Sequence, residues 1–346
     1  MIDLHAHVVL PSTLGAAGDL GPELDEGDPE GGRPPSFRVG DYTLVGVRYR
    51  GTPFMDLALR LAAMDAAGIE LQVLSPNPLT YLAHVDTDLA VGFCRDHNDA
   101  MAALVAEAPD RLRGFAQLPM QDPDRAAAEL TRAVGDLGLV GPYLGTDLGR
   151  PLDAPELDVV WSTCVDLDVP VFLHPAPDGI DGPRRDERRD RFDADLWLGF
   201  AYEEALAVAT LVLGGVLDRH PRLDVCVSHG GGATAWLAER LEHAARTRPW
   251  GPEALRPAGA VAERLGRLWW DAHVGGARAL GALVEAFGTR RLVAGTNLAG
   301  WDQTRDPSWG DVDLAAVMDA NARRLLRLDP GVTTAEPGDR PGSRSG

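Results

Sequence analysis

Apolar runs with strand character recur along this chain near residues 2–7, 69–75, 113–118, 139–144, 169–174, 223–229, 268–272 and 291–296. Between them lie amphipathic segments rich in Ala and Leu, among them 57–67, 89–108, 123–137, 203–220 and 277–287. Near-continuously apolar strands need helices over both faces, so this alternation predicts an α/β fold with a parallel sheet. Eight such units in roughly 300 residues suit a closed (β/α)8 TIM barrel, with an open doubly wound sheet as the alternative.

A barrel brings the C-terminal ends of its strands to one pocket, and four of the nine histidines fall at such ends. His5 and His7 close the first run, Met1-Ile2-Asp3-Leu4-His5-Ala6-His7, where alternation along a strand points both the same way. His174 ends Val169-Pro170-Val171-Phe172-Leu173, and His229 ends Leu223-Asp224-Val225-Cys226-Val227-Ser228, followed by Gly230-Gly231-Gly232. Imidazoles gathered in this way can hold a divalent metal ion.

Composition narrows the chemistry. All 33 basic residues are arginine, so neither a lysine Schiff base nor a metal pair bridged by carbamylated lysine is possible. A metal site must be built from His, Asp, Glu or neutral oxygen donors, and a mononuclear one is expected. The net charge of −19 argues against nucleic acid and anionic membrane surfaces as partners. No apolar stretch reads as a membrane span and no signal peptide is evident. Cys94, Cys164 and Cys226 lie apart in apolar contexts and read as reduced core residues of a cytoplasmic protein.

Residues 1–330 are expected to form a single barrel domain with two long insertions on the histidine face. The segment 11–41, after the first strand, is turn-rich and acidic and reads as a loop region. The Arg- and Asp-rich segment 176–195, after the fifth strand, reads either as a solvated loop or as a lid or interface edge. Residues 331–346 are rich in Pro, Gly, Thr and Ser without periodicity, and disorder is expected there.

Several segments carry a family resemblance. They are Ile2-Asp3-Leu4-His5-Ala6-His7, Met64-Asp65-Ala66-Ala67-Gly68-Ile69, Gly114-Phe115-Ala116-Gln117-Leu118-Pro119, Phe172-Leu173-His174-Pro175, Gly214-Gly215-Val216-Leu217-Asp218-Arg219-His220-Pro221, Ser228-His229-Gly230-Gly231-Gly232, Trp270-Asp271-Ala272 and Asn321-Ala322-Arg323-Arg324. In this order the chain resembles the amidohydrolase-related metal-dependent barrel enzymes of the aminocarboxymuconate-semialdehyde decarboxylase type. The resemblance implies His5, His7 and His174 as metal ligands and His229 as an acid/base. It also implies a carboxylate after the last strand, where this chain carries Asn297; Asn297 is therefore expected to touch metal or substrate, with Asp302 as a replacement carboxylate if the loop folds back.

Asp271 closes the seventh strand and is expected to orient a histidine. Arg48 matches a substrate-carboxylate arginine of the decarboxylase, and Arg240 an arginine that reaches the neighbouring subunit's pocket. His84, His97, His220, His243 and His273 read as surface or packing residues. The function implied is nonoxidative decarboxylation of a small aromatic or conjugated carboxylic acid. It would use one divalent ion (zinc, or else manganese), no organic cofactor, and a homodimeric assembly. Hydrolysis or hydration of a related small molecule, and a metal-free barrel that only binds, are the alternatives.

Overall fold

A ring of eight parallel strands forms the centre of the computed structural model, which describes residues 1–28, 30–182, 186–304 and 312–328. The strands are β1 (Ile2–Val8), β5 (Leu71–Pro76), β6 (Leu112–Gly114), β7 (Tyr143–Leu144), β8 (Val171–Leu173), β9 (Val225–Val227), β10 (Trp269–Asp271) and β11 (Leu292–Val293). Ladders join β1–β5–β6 and β7–β8–β9–β10–β11. The Ala116 N–H donates to Gly141 O at 2.8 Å and that of Tyr143 to Ala116 O at 2.8 Å, bridging β6 to β7. The Leu4 N–H donates to Ala294 O at 3.0 Å, which shuts the ring between β1 and β11.

The helices are α1 (Leu57–Ala66), α2 (Thr87–Glu107), α3 (Pro123–Gly135), α4 (Asp158–Asp166), α5 (Phe200–Leu213), α6 (Val216–Arg219), α7 (Thr234–Thr247), α8 (Ala260–Leu265), α9 (Ala277–Phe287) and α10 (Val312–Leu325). Aspartates start several of them. Asp56 accepts from Leu59 N, Asp86 from Leu89 N, and Asp122 from Arg125 N with Pro123 at the first helical position. The expected helix over 203–220 divides at Gly214-Gly215, where Gly215 takes a φ of 70°.

Ile2, Leu4, Val73, Phe115, Phe172 and Trp269 fill the barrel interior. The pairing of β1 with β5 shifts register between Asp3 and Ala6. The shift is held by the buried Asp3 carboxylate, which accepts from His5 N, Thr296 N, Thr296 Oγ1 and Gln72 Nε2. Several strands are shorter than the apolar runs that predict them, because the chain leaves extended geometry where the site begins. At Ser228–Gly231 it turns through a φ of 45° at His229.

The segment 11–41 is more folded than the sequence suggests. It contains turns at Pro11–Thr13 and Gly18–Leu20, and β2 (Glu23–Asp25), β3 (Ser36–Val39) and β4 (Tyr42–Val45) pair as an antiparallel sheet. Alternation in Ser36-Phe37-Arg38-Val39 buries Phe37 and Val39 against Val9, Tyr49, Phe54 and Ile180. The Asp41 N–H then ties this sheet to the charged segment by donating to Ile180 O at 2.9 Å. That segment is itself cross-linked, since Arg189 reaches Asp178 at 2.7 Å, Asp195 at 3.3 Å and Glu203 at 3.7 Å.

Its residues 183–185, and the tail 331–346, lie outside the described residues. Asp195–Leu213 forms one helical stretch long and apolar enough by composition to cross a membrane, contrary to the reading from apolar runs. Here it serves as barrel wall, burying Glu204, Val208, Leu211 and Val212 on one face.

Candidate active site

Three strand ends, those of β1, β8 and β9, and the loop after β10 bring five imidazoles together. The His5 ring lies 5.1 Å from His7, 5.0 Å from His174, 4.9 Å from His229 and 5.0 Å from His273, centroid to centroid. The ligating atoms of His5, His174 and His229 lie within 4.8 Å of one another. His7 stands beside this trio, 4.9 Å from His174, with Tyr143 Oη at 3.5 Å from its Nδ1.

Each ring is held by its far nitrogen. Asp271 Oδ2 lies 2.6 Å from His5 Nδ1, the Pro175 carbonyl 2.6 Å from His174 Nδ1, and Glu204 Oε1 2.6 Å from His229 Nδ1. Asp271, at the end of β10, thus contacts the first of the β1 histidines.

Burial sets the charges. It drives His5 and His174 well below the ordinary imidazole range, with the neighbouring histidines adding to the effect. Burial likewise brings His7 down to about 3. These rings are therefore neutral and keep a lone pair to donate. His229 goes the other way. Burial pulls it down, but the charge and hydrogen bond of Glu204 outweigh that and raise it to about 9. Desolvation lifts Asp271 to about 7, against the pull of His229 and His273.

His229 sits in a turn whose glycines have a structural cause. Gly232 takes a φ of 59°, and a Cβ there would overlap the Ala201 carbonyl of α5. The close approach lets Glu204, one turn further along α5, reach both His229 and Ser228 Oγ.

Glu204, His273 and the full weight of Asp302 escape the sequence reading. Glu204 falls in register with Val208, Leu211 and Val212, so a carboxylate on the buried face of an apolar helix was the available signal. His273 is buried, not a surface or mere packing residue: its Nδ1 lies 2.9 Å from Thr304 Oγ1 and its Nε2 3.1 Å from Asp302 Oδ2. Its signal was the Asp271-Ala272-His273 spacing, which repeats the alternation of His5 and His7. Asn297 is 7 % exposed and donates from Nδ2 to Asp302 Oδ1 at 2.6 Å. Asp302 is held at about 2, because the bonds and charges of His273, His229 and Asn297 outweigh its burial.

A cavity of about 260 Å3 opens beside His7, His174, His229, Asn297 and Asp302. The inserted sheet reaches over it through Leu44, and the segment that follows β4 through Val47, Arg48 and Tyr49. Arg48 stands at this mouth, half exposed, 3.9 Å from Glu26. Arg240 is exposed on α7 and is not among the residues lining its own chain's cavity.

The donors fit a divalent ion. His5 Nε2 and Asn297 Oδ1 are buried without a hydrogen-bonding partner, an arrangement that is costly unless something else satisfies them. Neutral imidazoles with oriented far nitrogens are the form in which histidine binds metal.

Known proteins share this architecture. A 2-amino-3-carboxymuconate-6-semialdehyde decarboxylase of Dictyostelium discoideum is 31% identical over 243 residues, covering 70% of this chain and 66% of that protein. A gamma-resorcylate decarboxylase of a Rhizobium species is 36% identical over 219 residues, covering 60% of this chain and 64% of its own length. The chain thus spans just under two thirds of the length of these relatives.

Among solved structures, a dihydroxybenzoic acid decarboxylase of a Polaromonas species, with bound manganese and the inhibitor 2-nitroresorcinol, superposes with a TM-score of 0.71. Its identity is 25%, and the match covers 94% of this chain and 96% of that one. The sequence pattern of the amidohydrolase family runs from residue 2 to residue 328, through every strand that carries a site histidine, and the chain belongs to that family.

Proposed function

We propose that the protein is a divalent-metal-dependent lyase that removes carbon dioxide from a small aromatic carboxylic acid without an oxidant. The observation that carries this reading is the unpartnered, buried His5 Nε2 beside the neutral rings of His7 and His174 and a small cavity. A cavity of about 150 Å3 accommodates benzene, so one of about 260 Å3 suits a substituted single ring. The decarboxylases of single-ring acids among the relatives support the same size of substrate.

His5, His7 and His174 would hold the ion, and Asn297 Oδ1 is a further neutral donor. When bound there, a divalent ion supplies positive charge that polarises an oxygen of the acid. Zinc suits an imidazole-rich set, and the manganese of the Polaromonas relative supports manganese equally.

His229 is the proton donor. Glu204 holds its Nδ1 and keeps the ring charged, which leaves Nε2 to face the acid. The Nε2 proton passes to the ring carbon that bears the carboxylate. The bond to the carboxylate then breaks, carbon dioxide leaves, and the bonding pair restores the aromatic system. His229 regains its proton from solvent. Arg48 receives the substrate's negative charge at the mouth of the cavity.

Two further features belong to this reading. The free, buried Cys94, Cys164 and Cys226 support a reducing, cytoplasmic setting. The exposed position of Arg240 on α7 supports a homodimer in which it serves the other subunit's cavity.

The test is metal analysis of purified protein, followed by carbon dioxide release from 2,6-dihydroxybenzoate and related hydroxybenzoates with zinc or manganese restored. Release that depends on the ion is expected. A protein loaded with one ion per chain that releases nothing from any such acid would refute the decarboxylase assignment.

A further inference from the structure

Three neutral imidazoles and the neutral amide of Asn297 would leave the charge of a divalent ion uncompensated in a buried site. The loop after β11 carries a carboxylate, Asp302, five residues further on. It folds back on itself: Gly300 N–H donates to Asn297 O at 2.7 Å, Ala299 N–H to Gln303 Oε1 at 2.9 Å, and Thr304 N–H to Thr296 O at 2.9 Å. Gly300 permits this turn, since a Cβ there would overlap the Asn297 side chain.

The fold-back sets the Asp302 carboxylate on the same cavity wall as His7, His174 and Asn297. Its ligating atom falls within 4.8 Å of those of His229 and His273. Each carboxylate oxygen takes one hydrogen bond, Oδ1 from Asn297 and Oδ2 from His273, and each therefore keeps a lone pair. Among the described residues, Asp271 and Glu204 are instead turned to the far nitrogens of His5 and His229.

We propose that Asp302 is the anionic ligand of the metal ion in place of a carboxylate at position 297, with Asn297 and His273 positioning it. The assignment rests on the metal-dependent reading above. The amide of Asn297 is then not a weakened ligand but a bracket. Its Nδ2 fixes Asp302 while its buried, unpartnered Oδ1 remains for the ion. His273, clamped between Asp302 and Thr304, fixes the second carboxylate oxygen.

Metal-stripped full-length protein is titrated with manganese alone and followed by calorimetry, which requires no substrate. The parent is expected to take one ion per chain. Asp302→Asn, which keeps the shape and removes the charge, should weaken binding at least about 100-fold, the upper end of what loss of an outer hydrogen-bonding partner costs. Transposing the two groups, in Asn297→Asp combined with Asp302→Asn, should recover at least about tenfold of that loss, because the charge returns to the site. A smaller loss in Asp302→Asn, or a transposed variant that binds no better than it, overturns the assignment. A parent that binds no manganese or zinc overturns the metal-dependent reading itself.

Discussion

His229 is the residue at which charge and position meet. Its ring is largely removed from water, which alone would make it neutral, yet Glu204 at 2.6 Å keeps it protonated up to about pH 9. A group whose pKa is raised in this way delivers its proton below that value and loses it as pH rises through it. Glu204→Gln removes the charge, so the alkaline fall in kcat/KM should move down by about two pH units, the size of effect one adjacent opposite charge produces. Manganese binding should be unchanged in the same variant, because Glu204 bonds to His229 and Ser228 and to none of the metal donors proposed above. An alkaline limb that stays in place would remove His229 as the proton donor. His229→Asn should also keep its ion and lose at least about 100-fold in turnover, the low end of what a positioned proton donor contributes. His174→Ala, by contrast, should lose ion and turnover together, and a variant that retained a full complement of metal would take His174 out of the ligand set.

At the scale of elements, the site depends on how closely the β9 loop packs on α5. Gly232 and Gly68 both take positive φ, but a Cβ at Gly232 meets the Ala201 carbonyl whereas one at Gly68 meets open space. Gly68→Ala should therefore show backbone strain only, of about 1 kcal/mol. Gly232→Ala should cost about 2 kcal/mol more and reduce turnover by displacing His229 from Glu204. Thermal unfolding of the two variants measures the difference, and equal losses would mean that the contact with α5 is not tight. The same elements explain what could be read in advance. Barrel alternation and the strand-end histidines show in the sequence because strand pairing and burial act on neighbouring residues. Glu204 and His273 do not, since their roles arise from partners 25 and 29 residues away. The inserted sheet was hidden for a different reason: Gly-, Pro- and Asp-rich turns dominate 11–41, and the alternation that buries Phe37 and Val39 is only four residues long.

At the scale of the molecule, one face is dressed for association. Trp236 is 90 % exposed on α7, with Leu237 beside it and Arg240 one turn on. Trp197, Leu198, Tyr202 and Leu206 are exposed along the stretch that leads into and through α5, which packs against α7. Large apolar side chains exposed in this number on two packed helices are unfavourable in water unless they are covered. A second copy would cover them economically, because a two-fold contact pairs the same patch with itself and would carry each Arg240 toward the other chain. Two chains of −19 repel, so the contact needs this apolar area and gains from the local positive charge. The expected outcome is a dimer in sedimentation at micromolar concentration. Trp236→Glu should shift it to monomer, and turnover should fall with the dimer population. Arg240→Ala should instead remain dimeric and raise KM for the acid about tenfold, as expected when one arginine–carboxylate contact is lost. A parent that sediments as a monomer while fully active would exclude both the interface and the exchanged arginine.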